Sequence, residues 1–298
     1  TQNMREHMTL SRKMIAEMQK DHGINGWLNA YITWCRQGHT FESFRCGVHK
    51  QTVKNRFDQI TTALNDGWVE QHVYLPSVRE WLDTNNNLTT CSTQTLTIRE
   101  AYPSKVFFMV DGSYTQIFVP NTDVIARKKM YQGKHKCHAV SWFIVCMPNG
   151  RIIYMSPCYE SEIGDKEAWD SQTEFHQRLH TQYPASAFVV DGTVYIPCMG
   201  GDKAYPRMKL PGTHWRKHTT KTSASAADRN DPTSVIDPAI AVHRAVVERI
   251  IGRLKKWGIL NNMPYISRQS FADLSQLFQV LAALTNYEVF VDKQISSL

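Results

Sequence analysis

Three acidic residues, Asp111, Asp202 and Glu248, occur in segments whose composition suits metal-dependent chemistry. Asp111 follows an apolar stretch and precedes Gly112, where a strand can end in a sharp turn. Asp202 follows two glycines, which allow other groups to approach closely. Carboxylate oxygens are the protein ligands that Mg²⁺ binds. Taken singly, either aspartate is typical of an ordinary turn, so the chemistry depends on whether the three side chains meet.

Glu248 belongs to a segment with the pattern of an amphipathic helix. Asp237 and Pro238 suit the N-cap and the first helical position of this helix. Its apolar stripe consists of Ile240, Val247, Ile250, Ile251 and Leu254. At roughly 100° per residue, Arg244, Glu248 and Lys255 fall within about 40° of one another. An Arg and a Glu four residues apart usually form a surface ion pair, so the helix alone predicts no reaction.

Six segments, in the expected order along the chain, resemble the DDE superfamily of transposases, in particular the PIF/Harbinger and IS5-like group. They are Val110-Asp111-Gly112-Ser113, Gly133-Lys134-His135, Asn149-Gly150-Arg151-Ile152, Gly164 with Asp170, Gly201-Asp202-Lys203-Ala204-Tyr205-Pro206, and His243-Arg244 through Lys256. The likeness covers residues 105–258. One such segment would be a weak signal, whereas six in order are specific.

The resemblance implies that Asp111 and Asp202 are the first and second metal-binding aspartates, and that Glu248 is the third carboxylate. The implied cofactor is Mg²⁺ or Mn²⁺, as a pair of ions acting on the attacking and leaving oxygens of a phosphodiester. Asp191 also follows a strand-like segment, where a ribonuclease-H-like fold places its second aspartate. Asp191 therefore remains an alternative to Asp202. The Tyr-Pro context favours Asp202, and Asp191-Gly192 is a dipeptide typical of a hairpin turn.

Arg244 and Lys255 resemble the Arg-Glu-Lys signature of related transposases, although Ala241 stands where that signature opens with Tyr. The resemblance implies that both cations contact DNA phosphates, which would add a salt-dependent contribution to affinity. Trp215 and Trp257 could stack on an unpaired base, but packing in the interior is the commoner role of Trp.

Upstream of these segments, the sequence predicts an all-helical domain over residues 1–90. A short helix at 41–45, a turn at Gly47 and a longer helix from about His49 form a helix-turn-helix pattern. The second helix would expose side chains of the types that contact phosphates and base edges. These are Lys50, Gln51, Lys54, Asn55 and Arg56. A plain helical bundle with a solvated basic face is the alternative.

The sequence of residues 100–298 predicts an α/β domain of the ribonuclease-H-like type, with a mixed sheet and flanking helices. Segments at 106–110, 137–147 and 151–157 are rich in β-branched and aromatic residues and predict three strands. A helix at 166–181 and a strand pair around Asp191 follow. Residues 203–236 are polar and basic and predict a long surface loop. The sequence predicts a last amphipathic helix, capped by Ser270 and Asp273.

The composition is that of a folded chain: 298 residues, 42% hydrophobic and 20% charged, enough for two domains. A net charge of +7 suits a polyanionic partner. Seven cysteines without a CxxC pair argue against a disulfide framework and indicate an intracellular compartment. The sequence shows neither a membrane span nor a signal peptide pattern, and Thr1 in place of Met suggests a fragment.

The leading hypothesis is a transposase that cuts the ends of a mobile element and joins the freed 3′-hydroxyl to target DNA. Retention of all three carboxylates favours this enzyme over a domesticated transposase that only binds DNA. The helix-turn-helix pattern favours it over a general metal-dependent nuclease. The resemblance implies double-stranded DNA as partner and a nuclear location if the chain is eukaryotic, and it allows a homo-oligomer and an accessory DNA-binding protein.

Overall fold

The computed structural model of the protein describes residues 24–38, 48–85, 89–91, 94–97, 104–119, 123–184, 189–201, 209–219, 234–236, 240–261 and 270–295. The N-terminal region contains the helices α1 (Ile24–Gln37), α2 (Lys50–Asn65), α3 (Trp68–His72) and α4 (Val78–Asn85). Helix α2 begins after His49, as predicted, and buries Val53 and Phe57. The short helix and the turn predicted at 41–47 lie outside the described residues, so the helix-turn-helix stays a prediction.

A mixed sheet forms the centre of the remaining chain. The strands are β1 (Thr89–Cys91), β2 (Gln94–Thr97), β3 (Lys105–Gln116), β4 (Tyr131–Gln132), β5 (Cys137–Cys146), β6 (Ile152–Met155), β7 (Tyr159–Glu160), β8 (Val189–Val190), β9 (Thr193–Val194), β10 (Ile196–Gly201), β11 (Arg216–Thr219) and β12 (Ser234–Ile236). In the large sheet, β3 lies between β5, which is antiparallel to it, and β10, which is parallel. Strands β11 and β12 continue in parallel beyond β10, whereas β4, β6 and β7 pair antiparallel with β5. The long surface loop predicted at 203–236 is therefore wrong for residues 216–219 and 234–236, where strand pairing places the chain in the sheet and buries Lys217 and His218. The antiparallel strands β3, β5 and β6 are followed along the chain by β10, β11 and β12, which run parallel to β3. This order fits the predicted ribonuclease-H-like fold.

Helices cover both faces of this sheet. They are α5 (Val124–Lys129), α6 (Asp165–Asp170), α7 (Thr173–Gln182), α8 (Ile240–Leu254), α9 (Gly258–Asn261) and α10 (Phe271–Ile295). Trp142 and Phe143 are consecutive in β5 and therefore point to opposite faces. Trp142 contacts Phe278 of α10, and Phe143 contacts Trp169 of α6, with ring centroids 6.2 Å and 5.7 Å apart. Among the helices within the described ranges, none is long and apolar enough to cross a membrane.

Strand β3 is longer than predicted. The sequence predicted that the strand ends at Asp111, but it continues through Gly112 to Gln116. Residues 106–110 are buried, whereas 111–114 are only half-buried, so the apolar pattern that marks the first part is absent from the second. The second part is held by pairing with β5 in unbroken register, from Met109 opposite Cys146 to Gln116 opposite Ala139. Asp111 is thus an interior residue of a central strand.

The helix predicted at 166–181 is two helices, α6 and α7, which are separated at Ser171 and Gln172. The side chains of both residues donate hydrogen bonds to the Ala168 carbonyl, at 2.7 and 3.1 Å. Such local side-chain bonds compete with the backbone bonds that would continue a helix.

Two local predictions are confirmed by the structure. Asp191 and Gly192 form the turn of the β8–β9 hairpin, with φ of +50° and +78°. Ser270 and Asp273 cap α10 reciprocally: each backbone N–H donates to the other side chain at 3.2 Å.

The N-terminal helices pack on the C-terminal ones, and the buried residues of both regions belong to one hydrophobic cluster. Asn286 of α10 joins three elements, because its side-chain amide donates to the carbonyls of His72 and Ile152 and accepts from the Ile152 N–H. Helix α1 ends at Gln37, and the next residue, Gly38, has φ of +64° and lies so close to α9 that a Cβ on it would be 2.5 Å from the carbonyl carbon of Gly258. The predicted division at residues 90–100 stays a prediction.

Candidate active site

Asp111 lies at the centre of the sheet, opposite Ile144 of β5. Its Oδ1 accepts a hydrogen bond from the Gly112 N–H at 2.9 Å, and the residue is half-buried. Burial raises the pKa of the neighbouring Cys146 thiol, and the negative charge of Asp111 raises that pKa further. Cys146 therefore stays protonated near neutral pH and is unsuited to nucleophilic chemistry, whereas the carboxylate of Asp111 suits cation binding.

Strand β10 brings the segment of the second predicted carboxylate to the same place. Its last residue, Gly201, pairs with Val110, the residue before Asp111, and Gly200 pairs with Met109. Both glycines are buried, and neither has a side chain that would project from the sheet beside Met109 and Val110. Asp202 is the next residue in the sequence and lies outside the described residues.

Glu248 belongs to α8, which packs on β3, β5 and β10. Val247 and Ile250 are buried beneath the helix, while the Glu248 side chain is 53% exposed. Its Oε1 accepts a hydrogen bond from Arg244 Nη2 at 2.6 Å. The pair predicted from the spacing is therefore formed, on the helix that covers the strand of Asp111.

Lys255 lies just beyond the end of α8 and contacts β3. Its Nζ is 4.6 Å from the ring centroid of Tyr114, and burial lowers the pKa of the Lys255 ammonium group. The other neighbour of Tyr114 is the imidazole of His135, which is stacked on it at a centroid distance of 4.3 Å. Sequence reasoning missed Tyr114 as part of the site. Two features of the sequence point to this position: Tyr114 follows Asp111 by three residues, and the segment around His135 is basic.

Asp191 is placed at the opposite end of β10 from Gly201. It forms an ion pair with Arg79 at 2.9 Å, and its side chain is 76% exposed at the hairpin tip. Strand β10 begins after it at Ile196, which pairs with Lys105. Asp111 comes six residues after Lys105 in β3, a distance of roughly 20 Å. The structure therefore brings β10's Gly201 end, and not Asp191, next to Asp111.

The residues predicted to contact DNA on α2 form a polar outer face. Lys50, Gln51, Asn55 and Arg56 are exposed, and Lys54 is half-buried and paired with Asp58. Trp215 and Trp257 are buried, which agrees with packing as their role.

Within the described ranges, no three His, Cys, Asp or Glu residues form a group that could hold a metal ion. That set does not include Asp202. The chemistry of the available donors nevertheless fits Mg²⁺ or Mn²⁺, because Asp111 and Glu248 offer the hard carboxylate oxygens that such ions require, on elements that pack together.

The mixed sheet with its flanking helices fits the class of ribonuclease-H-like proteins. The sequence model of the family described as DDE superfamily endonuclease matches residues 110–286, which is more than half of the chain. The protein therefore belongs to the DDE superfamily of endonucleases, as the resemblance predicted. No curated protein and no solved structure matches the chain.

Proposed function

We propose that the protein is a transposase that cuts phosphodiester bonds at the ends of a mobile element and joins the freed 3′-hydroxyl to target DNA. The observation that carries the proposal is the pairing of Gly201 with Val110 beneath α8. In this register, strand β10, which immediately precedes Asp202 in the sequence, ends directly beside Asp111. Helix α8, which carries Glu248, covers this part of the sheet. Family membership supplies the substrate class, DNA.

Asp111, Asp202 and Glu248 are the carboxylates that would hold two divalent ions, Mg²⁺ or Mn²⁺. Asp202 is preferred to Asp191 because consecutive Cα atoms are about 3.8 Å apart, which keeps Asp202 near Gly201, whereas Asp191 lies at the other end of β10 and pairs with Arg79. Bound ions would supply positive charge to the attacking and leaving oxygens of the phosphodiester.

The protein's own groups orient these ligands and the DNA. The Gly112 N–H fixes one oxygen of Asp111, and Arg244 holds the Glu248 carboxylate. Lys255 presents a partly desolvated positive charge at the edge of the site, where a DNA phosphate is the matching anion. The exposed face of α2 and the basic residues of the 203–236 segment outside strands β11 and β12 would extend the DNA contact.

The decisive experiment measures Mg²⁺- or Mn²⁺-dependent nicking of DNA that carries the flanking terminal repeats. Asp111→Asn, Asp202→Asn and Glu248→Gln are each expected to lower the rate by more than about 100-fold, because each removes a charged ligand. Asp191→Asn is the matched control and is expected to cut like the parent.

Undiminished cutting by Asp111→Asn or Glu248→Gln would show that the proposed site is wrong. Loss of cutting in Asp191→Asn but not in Asp202→Asn would transfer the second metal-binding role to Asp191. DNA binding by all the proteins without cutting by the parent would instead support a domesticated, purely DNA-binding protein.

A further inference from the structure

The tip of the β4–β5 hairpin, residues 133–136, carries a concentration of positive charge. Its sequence is Gly-Lys-His-Lys, and Lys134, His135 and Lys136 are all exposed. The hairpin is short and well defined: Tyr131 pairs with His138, and the His135 N–H donates to the Gln132 carbonyl at 3.2 Å. Exposed lysines on a surface turn would by themselves indicate only a solvated face.

A ring contact fixes this tip against the strand of Asp111. The imidazole of His135 stacks on Tyr114 with a centroid distance of 4.3 Å and an interplanar angle of 28°. Tyr114 follows Asp111 by three residues in β3, so the two Cα atoms are about 10 Å apart and the two side chains point to opposite faces of the sheet. The hairpin tip therefore lies against the same strand as Asp111, at the end that Lys255 reaches from the helix of Glu248.

The same ring also contacts Lys255. The Lys255 Nζ lies 4.6 Å from the Tyr114 centroid, which is a cation–π distance. Burial lowers the pKa of Lys255, and no carboxylate among the residues that the structure describes offsets this effect. A partly desolvated cation of this kind gains stability when an anion approaches. The Tyr114 ring thus contacts both Lys255, just beyond the end of α8, and His135 at the hairpin tip, where Lys134 and Lys136 also lie.

We propose that Lys134, Lys136 and Lys255, arranged around Tyr114, bind consecutive phosphates of the DNA strand that enters the active site. Tyr114 is the positioning residue of this phosphate-binding cluster, and His135 is its contact on the hairpin. The inference rests on the proposed function, because cutting requires that the DNA backbone be held beside the three carboxylates. Lysine ammonium groups act here as point charges for phosphate, without reading the base sequence.

The first test measures the affinity for a 30-base-pair duplex of arbitrary sequence at several NaCl concentrations, without divalent metal. The double variant Lys134→Ala/Lys136→Ala is expected to bind roughly 10-fold more weakly near 0.1 M salt, and to reduce the slope of log affinity against log salt by about 1 to 2. The control, Lys166→Ala/Arg178→Ala, removes the same charge from exposed positions on α6 and α7 and is expected to keep the parent's slope.

Equal slopes for the hairpin variant and its control, with a parent that binds and cuts DNA, would overturn this inference and leave the proposed function intact. A parent that neither binds nor cuts DNA would contradict both. The two failures are therefore distinguishable.

The second test addresses Tyr114 itself. Tyr114→Phe keeps the ring and is expected to bind DNA like the parent, whereas Tyr114→Leu should weaken binding by about 5- to 10-fold because hairpin and Lys255 lose their common contact. In the Tyr114→Leu background, removal of Lys134 and Lys136 should cost less affinity than it does in the parent. Fully additive losses would show that Tyr114 does not position the lysines.

Discussion

The ion pair between Arg244 and Glu248 would contribute little to stability on an ordinary protein surface. In the proposed active site it would have a second role. Exposed ion pairs at this spacing contribute only about 0.2–0.5 kcal/mol to the stability of a helix. Here the pair stands on the helix that covers Asp111, with the Arg side chain 23% exposed and the Glu side chain 53%. In the proposed active site this pair orients a carboxylate, so we expect its loss to affect cutting much more than stability.

Replacing Arg244 with Ala is expected to lower the rate of cutting at saturating Mg²⁺ or Mn²⁺ by about 10- to 100-fold, the usual effect of losing a group that orients a metal ligand. The melting temperature should stay within a few degrees of the parent's. Arg249→Ala removes an exposed cation from the same helix and serves as the control. Similar rates for the two variants would contradict an orienting role of Arg244.

At the scale of elements, the contact between α1 and α9 depends on two glycines. Gly38 combines a positive φ with a backbone approach that leaves no room for a Cβ, and a Cβ on Gly258 would lie 2.5 Å from the Arg36 carbonyl oxygen. Arg36 adds an ion pair to Glu288 of α10 and a contact with the Trp257 ring at 5.5 Å. The position of the N-terminal helices on the rest of the molecule is thus set by close backbone packing.

Gly38→Ala is expected to lower the free energy of unfolding by more than about 2 kcal/mol, because it adds a steric clash to the strain of a left-handed conformation. Gly192→Ala isolates the strain alone, since Gly192 has φ of +78° and a Cβ at this position would meet nothing within 4 Å. Chemical denaturation of both variants measures the difference. Equal losses would show that the α1–α9 approach is not tight in solution.

At the scale of the whole molecule, Asn286 connects regions that are distant in sequence. Its amide group makes hydrogen bonds of 2.7 to 2.9 Å to His72 and Ile152, and its side chain is buried. It therefore ties α10 to the N-terminal helices and to the sheet simultaneously.

Asn286→Ala is expected to cost about 3 kcal/mol of unfolding free energy, because it leaves the buried N–H and carbonyl of Ile152 and the part-buried carbonyl of His72 without their hydrogen bonds. Asn29→Ala, at an exposed position of α1, is the control and should change stability by less than about 1 kcal/mol. A loss below about 1 kcal/mol in Asn286→Ala, measured by denaturation, would argue against this three-way connection.

Features that depend on neighbouring residues were predictable from the sequence. The hairpin turn at Asp191-Gly192 and the Ser270–Asp273 cap are determined by a few adjacent side chains, and both were found. The extension of β3 beyond Asp111 was not predictable, because residues 111–116 lack an apolar pattern and are held by β5. The contact of Tyr114 with His135 and Lys255 depends on strand register and helix placement, which no local pattern encodes.

The contacts between α10 and the N-terminal helices have a consequence for synthesis on the ribosome. The bond from Asn286 to His72 spans 214 residues, so the N-terminal helices emerge long before the surface that covers them. Apolar groups of α1 and α2 must remain exposed while the sheet region is translated, an interval of about 10 to 40 seconds at common elongation rates. We therefore expect the nascent chain to need chaperone protection until α10 has emerged from the ribosome.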